Sequence, residues 1–413
     1  MRDKKKAPYP GVKDSVFTEK LDIIRSYPTI PTFRIMDPDG KIADASKDPQ
    51  LSKEDCLKIY ENMVTLNTMD NILYDTQRQG RISFYMTHYG EEGTLFGTAQ
   101  ALTMEDVIFG QYREAGVLLH RGVSLSSFVN QCTANVLDVN KGRQMPVHYG
   151  SREANFQTIS SPLATQIPQA AGAAYALKRA GKEAVAACYF GEGAASEGDF
   201  HAALNIASTV GAPVLFICRN NGFAISTPAD EQYRGDGIAA RGHGYGIPVI
   251  RVDGNDVLAV YSATKSARDL AISTGVPVLL EAMTYRVSHH STSDDSSAYR
   301  EKKEVEAWKR YDSPMSRFRQ YLEHKGWWSE EAEKVVRDRV RKEVLEAFIA
   351  AEKMKKPPIS YMFDDVFDTL SSRLKDQKKE VEEMVGKYPD FYEVARYANE
   401  EDAKIERSSE GLP

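Results

Sequence analysis

Two short apolar runs joined by one amphipathic stretch constrain the fold of this chain more than any other feature. Residues 184–190, AVAACYF, and 214–218, VLFIC, each have the length and apolar continuity of a buried strand. Between them Phe200, Ala203, Leu204, Ala207 and Val210 recur at helical spacing, and Gly211 and Pro213 end that helix. A strand–helix–strand crossover makes its two strands parallel neighbours. Glu192 then sits just past the carboxyl end of the first strand, and Asn221 past that of the second. Open parallel sheets bind ligands at that edge. A carboxylate and an amide oxygen facing each other suit a hard cation such as magnesium, which takes oxygen ligands and shares them with phosphates. Gly191 and Gly193 leave room for a phosphate against the backbone, and the helix start near Ala194 offers free N–H groups to an anion. GEG alone is equally an ordinary strand–helix turn. GEG followed one crossover later by NN points to a magnesium–diphosphate site.

The same alternation continues on either side. Residues 107–109 read as a strand, with Gln111, Tyr112 and Arg113 at its end. Spacing alone leaves Arg113 between a phosphate clamp, whose fork matches phosphate oxygens, and a surface side chain. Residues 249–252 and 277–282 are two further strands with a helix between them. The expected class is therefore α/β, a doubly wound parallel sheet flanked by helices, over residues 51–300. A helix capped at Ser52 opens this domain. Residues 1–50 read as an extended arm that packs on a partner subunit, 301–385 as amphipathic helices anchored by Trp308, Trp327 and Trp328, and 386–413 as a polar tail. Ser160, Ser161, Pro162, Leu163, Thr165 and Gln166 form a capped helix start by residue type. The polar segment 289–300 leaves the last strand on the edge that carries Glu192 and Asn221, which brings His290 there too.

Composition bounds the partners. The 53 basic and 59 acidic residues among 413 leave a mildly negative chain, which argues against nucleic acid as the main partner. No run of about twenty apolar residues exists to span a membrane. Cys56, Cys132, Cys188 and Cys218 are expected as free thiols in a reducing compartment. The opening MRDKKK lacks the Arg- and Ser-rich pattern of a mitochondrial presequence.

GEG followed by NN is similar to the thiamine-diphosphate motif. With QYREAG (111–116), GRQMPVH (142–148), SSPLATQ (160–166) and HHSTSDD (289–295), the chain resembles the alpha subunits of branched-chain 2-oxo acid dehydrogenases over about residues 20–370. The resemblance implies the thiamine-diphosphate-binding fold and oxidative decarboxylation of branched-chain 2-oxo acids in the mitochondrial matrix. It assigns the cofactor to Gln111, Tyr112, Arg113, Ser161, Leu163, Gly191, Glu192, Gly193, Ala194, Arg219, Asn221 and His290. Glu192, Asn221 and the Phe223 backbone oxygen would hold magnesium. Ser160, Pro162, Thr165 and Gln166 would hold potassium. His290 and Ser161 would be catalytic, and Leu163 would wedge the cofactor into its bent form.

One diphosphate-binding fold with no second sheet domain after residue 300 is half a site. The resemblance implies a beta subunit supplying the activating glutamate in an assembly of two alpha and two beta chains, and a lipoyl-bearing acyltransferase core. It also implies a kinase and a phosphatase acting on Ser291. A second family phosphoserine corresponds to Glu301, so that site is absent. Two rivals stand beside this reading: a pyruvate-specific relative, and a non-catalytic nucleotide-binding module on the same architecture.

Overall fold

Continuous apolar runs demand a sheet covered on both faces, and the chain builds one. The computed structural model describes residues 18–25 and 27–412, so the first part of the expected arm lies outside the described residues. The strands are β1 (Thr32–Phe33), β2 (Val107–Phe109), β3 (Phe156–Gln157), β4 (Ala186–Gly191), β5 (Val214–Asn220), β6 (Phe223–Ala224), β7 (Thr227–Pro228), β8 (Val249–Asp253) and β9 (Val278–Met283). Seven form one sheet in the order β1-β8-β9-β5-β4-β2-β3, every pair parallel. β6 and β7 pair as a small antiparallel hairpin.

Strand periodicity divides the core into two layers. Ala186, Cys188 and Phe190 of β4, with Val214, Phe216 and Cys218 of β5, face the helices Gln166–Arg179 and Gly198–Val210. Ala187, Tyr189, Leu215 and Ile217 face the opposite layer, which holds the helices Glu92–Ala101 and Val257–Thr274. Burial on both faces is the physical cause of the unbroken hydrophobic runs. Gly211 ends the crossover helix at φ +64 and donates its N–H to the Ala207 carbonyl, a left-handed cap that favours glycine. All four cysteines are buried free thiols, as expected.

The arm lies on this chain's own sheet from about Ile30. Thr32 and Phe33 align with Arg251 and Val252 of β8. The amides of Ile35 and Met36 donate to Asp256 Oδ2 at 2.7 and 2.6 Å, while Asp256 Oδ1 caps the helix Val257–Thr274. The C-terminal helices Pro314–His324 and Glu330–Lys353 join the first helix, Lys53–Arg78, in the same apolar layer. Glu333 Oε2 there accepts from Tyr60 Oη at 3.0 Å and Trp328 Nε1 at 2.9 Å. Trp327 and Trp328 anchor this packing, whereas Trp308 is exposed at the edge and stacks on Tyr285 with ring centroids 5.0 Å apart.

Three local departures from the sequence reading have short-range causes. β3 and the β6–β7 hairpin are two-residue strands, too brief to show alternation. The crossover α-helix starts at Gly198 rather than near Ala194, because Ala194–Ser196 closes a 3-10 turn first. The stretch read as a polar tail carries the helix Glu400–Ser409, whose Ala403 packs with Ala398 and Val136.

Candidate active site

The carboxyl ends of β4 and β5 bring Glu192 and Asn221 together. Glu192 is 1% exposed; its Oε2 accepts the Asn221 amide at 3.4 Å, and its Oε1 has no hydrogen-bond partner among the described residues. Burial pushes this carboxyl up to about 7, and the nearby Glu91 charge adds to the push. Asn221 Oδ1 accepts the Phe223 amide at 3.2 Å and Nδ2 donates to Glu91 Oε1 at 2.6 Å. A buried carboxylate oxygen without a donor is costly and is satisfied by a cation. At Gly191 an added Cβ would meet only the Arg219 carbonyl, at 3.9 Å, so the backbone there is open to a ligand. At Gly193 it would lie 2.8 Å from Ala224 Cβ, so that glycine serves the hairpin's close approach. The amides of Ala195, Ser196 and Glu197 are turned to the carbonyls of Glu192, Gly193 and Ala194 inside the 3-10 turn. Those three donors are engaged within the turn, and the Ala194 amide is not one of them.

The loop after β2 reaches the same edge. Gln111 Oε1 accepts the Gly191 amide at 2.8 Å, which ties this loop to β4. Glu114 Oε2 accepts the amides of Gln111 and Tyr112, each at 2.8 Å. Arg113 is 1% exposed, which removes the surface-arginine alternative. Its Nη1 donates to the Thr87 carbonyl at 2.6 Å and its Nη2 to the His290 carbonyl. Arg219 is buried; its guanidinium pairs with Glu91 and lies 2.7 Å from Glu114 Oε1.

His290 sits half-buried between two guanidiniums. Its Nδ1 is 3.2 Å from Arg113 Nη2 and 3.4 Å from Arg286 Nη1, and its ring meets that of Tyr112 in a T-shaped contact with centroids 5.9 Å apart. Two cationic donors on Nδ1 require a lone pair there, which leaves the ring proton on Nε2. Burial, then Arg113 and Arg286, lowers the imidazole to about 3, so it is neutral at physiological pH. Ser291 next to it is 8% exposed, and its Oγ accepts the Ser293 amide at 3.2 Å.

The turn 160–166 forms a separate cluster joined to β4. Thr165 does not cap the helix Gln166–Arg179; its Oγ1 donates back to the Pro162 carbonyl at 3.0 Å. Gln166 Nε2 donates to the Tyr189 carbonyl at 3.0 Å. Ala164 holds φ +69, a strained value for alanine. Ser160 and Leu163 are exposed, and Ser161 Oγ lies 2.7 Å from His148 Nε2.

The dehydrogenase E1 component family matches residues 60–360. The chain belongs to the dehydrogenase E1 component family. It is 56% identical over 394 residues to the 2-oxoisovalerate dehydrogenase subunit alpha, mitochondrial, of Mus musculus, covering 95% of this chain and 89% of that protein. The protein of the same name in Dictyostelium discoideum is 54% identical, covering 93% and 87%. Subunit alpha 2 of Arabidopsis thaliana is 52% identical, covering 93% and 82%. The expected fold, thiamine-diphosphate dependence and oxidative decarboxylation are those of an E1 component.

Several groups in this E1 chain carry no mark in the sequence that singles them out. Glu91, Arg286 and His148 contact Asn221, His290 and Ser161 respectively. Glu91 comes nearest to a signal: two glutamates stand between Gly90 and Gly93, where the helix Glu92–Ala101 begins. His148 closes the GRQMPVH stretch and Arg286 follows β9, but neither position has a local pattern that marks a buried polar role.

Proposed function

We propose that this E1 chain is the alpha subunit of a mitochondrial branched-chain 2-oxo acid dehydrogenase. It decarboxylates 2-oxoisovalerate and its branched-chain relatives with a beta chain, and the acyl group passes to a lipoyl domain of an acyltransferase core. The observation that carries the reading is the unpartnered, buried Oε1 of Glu192 beside Asn221, at an edge where Gly191 leaves the backbone open.

That donor set fits a magnesium–diphosphate group. Glu192, Asn221 and the Phe223 carbonyl would be the magnesium ligands, oxygen atoms that a hard cation takes. Gln111, Tyr112, Arg113, Gly191, Gly193, Ala194, Arg219 and His290 would line the diphosphate, with Arg219 acting through the buried carboxylates that it orders. Thiamine diphosphate supplies a carbanion for the keto carbon and a ring that takes up the electrons left by departing carbon dioxide. His290 Nε2–H is a hydrogen-bond donor this chain offers at that edge; its ring is neutral at physiological pH, so it acts by hydrogen bonding to developing charge. Ser161 and Leu163 would meet the cofactor from the 160–166 turn. Ser160, the Pro162 carbonyl, Thr165 Oγ1 and Gln166 would order that turn around potassium. The activating glutamate comes from the beta chain, so two chains complete one site. A kinase and a phosphatase would switch the enzyme at Ser291.

The test is co-expression with a beta chain and an assay of carbon dioxide release from 2-oxoisovalerate and from pyruvate. Faster turnover of 2-oxoisovalerate is expected. A preference for pyruvate sinks the branched-chain assignment, and failure to bind thiamine diphosphate sinks the catalytic one.

A further inference from the structure

An asparagine offers a cation one usable end. The amide oxygen and nitrogen are nearly equal in size, but only the oxygen ligates magnesium. Something outside the residue must therefore set which end is offered to the cation. We propose that Glu91 is a positioning residue that fixes the amide of Asn221 with its oxygen toward the cation. This rests on the magnesium reading above.

Two contacts demand the same orientation. The Phe223 N–H donates to Asn221 Oδ1 at 3.2 Å, and Asn221 Nδ2 donates to Glu91 Oε1 at 2.6 Å. A carboxylate paired with a guanidinium offers acceptors only, so Nδ2 is the end that can meet it. Turning the amide over would set two oxygens 2.6 Å apart and bring an N–H against that of Phe223. Glu91 is itself immobilised: it is fully buried, and its Oε2 pairs with Arg219. Arg219 in turn lies 2.7 Å from Glu114 Oε1, whose other oxygen accepts the amides of Gln111 and Tyr112. One buried chain of charges thus joins the proposed magnesium loop to the loop that carries Arg113. Asn220 shows the same device, with Nδ2 donating to buried Glu281 Oε1 at 2.8 Å and to Tyr233 Oη at 3.0 Å, and Oδ1 accepting the Gly222 amide at 3.3 Å. Both asparagines of the motif owe their orientation to a carboxylate remote in sequence.

The alternative is that Glu91 only neutralises Arg219, and the two roles separate in a metal titration. The assembled enzyme of alpha and beta chains is titrated with magnesium at fixed thiamine diphosphate, with binding read from quenching of intrinsic fluorescence. Glu91→Gln is expected to raise the apparent magnesium Kd about tenfold or more, the usual loss when an outer-shell partner of a ligand is removed. Asn221→Asp alone is also expected to bind magnesium less tightly, because its new carboxylate meets that of Glu91. The double variant E91Q/N221D is expected to recover most of the loss, since the glutamine amide can donate where the carboxylate of Glu91 could not. Independent, additive losses in the pair overturn the proposal, as does an E91Q Kd within about twofold of wild type. If E91Q does not assemble, Asn221→Asp decides: tighter magnesium binding than wild type overturns the proposal and weaker binding supports it. Asn221→Ala separates the two levels. Unchanged magnesium dependence there overturns the magnesium reading itself, whereas loss there with no loss in E91Q overturns only the role of Glu91.

Discussion

Glu92 adjoins Glu91 in sequence and behaves in the opposite way. Arg219 and the Asn221 amide outweigh burial at Glu91 and bring its carboxyl down to about 2, whereas burial lifts that of Glu92 to about 8, with Asp70 and Glu91 adding to the rise. Between the ordinary value of 4.5 and about 8 the native state therefore holds a proton on Glu92 that the unfolded chain has lost. Stability falls as pH rises through that window, and the full cost stands above about pH 8. Each tenfold change in proton affinity is worth about 1.4 kcal/mol, so the cost is a few kcal/mol. Glu92→Gln, the neutral isostere, is expected to raise the melting temperature relative to wild type at pH 8–9 and to leave it unchanged near pH 4. Parallel pH profiles for the two proteins would rule this out. His290 is displaced downward instead, by burial and two guanidiniums. His290→Asn in the assembled enzyme is expected to lower kcat by about 10²-fold or more, the usual cost of removing one positioned hydrogen-bond donor. A kcat within a few-fold of wild type removes it from the hydrogen-bonding role.

The segment 287–292 owes its order to a second strand of backbone that runs beside it. The Val287 amide donates to the Tyr89 carbonyl at 3.1 Å, Thr87 Oγ1 donates to Ser288 Oγ at 2.7 Å, and the Thr292 amide donates to the Tyr85 carbonyl at 3.0 Å. Asp294 Oδ2 closes the far side by accepting the His290 amide at 2.7 Å and Tyr299 Oη at 2.6 Å. Ser291 is buried within this arrangement, so a phosphate of about −1.5 to −2 charge cannot be housed there without opening the segment. Ser291→Glu is expected to weaken thiamine-diphosphate binding and to speed protease cleavage between residues 287 and 300, whereas Ser291→Ala does neither. Full activity and an unchanged cleavage rate in the Glu variant would refute the switch. The same dependence on packing explains Ser161, whose contact is His148 rather than a neighbour in its own turn.

The described residues present one edge of one parallel sheet, and chemistry that needs a second chain cannot run on that edge alone. Purified without a beta chain, the protein is expected to release no carbon dioxide from 2-oxoisovalerate. Adding a beta chain to the same preparation restores turnover; measurable turnover by the single chain would dissolve the two-chain site. The sequence by itself determined the α/β class, the parallel pairing of β4 with β5 and the placement of Glu192, Asn221 and the His290 segment on one side. These follow from apolar periodicity and chain-breaking residues read stretch by stretch along the chain, and such signals are local. Only the tertiary structure decided which charges are buried and how they pair. Glu91 reaches Asn221 across 130 positions, Arg113 reaches His290 across 177, and the arm reaches Asp256 across more than two hundred. Burying a charge is tolerable only when a partner arrives with it, and which partner arrives depends on how distant segments pack, not on the residues beside it.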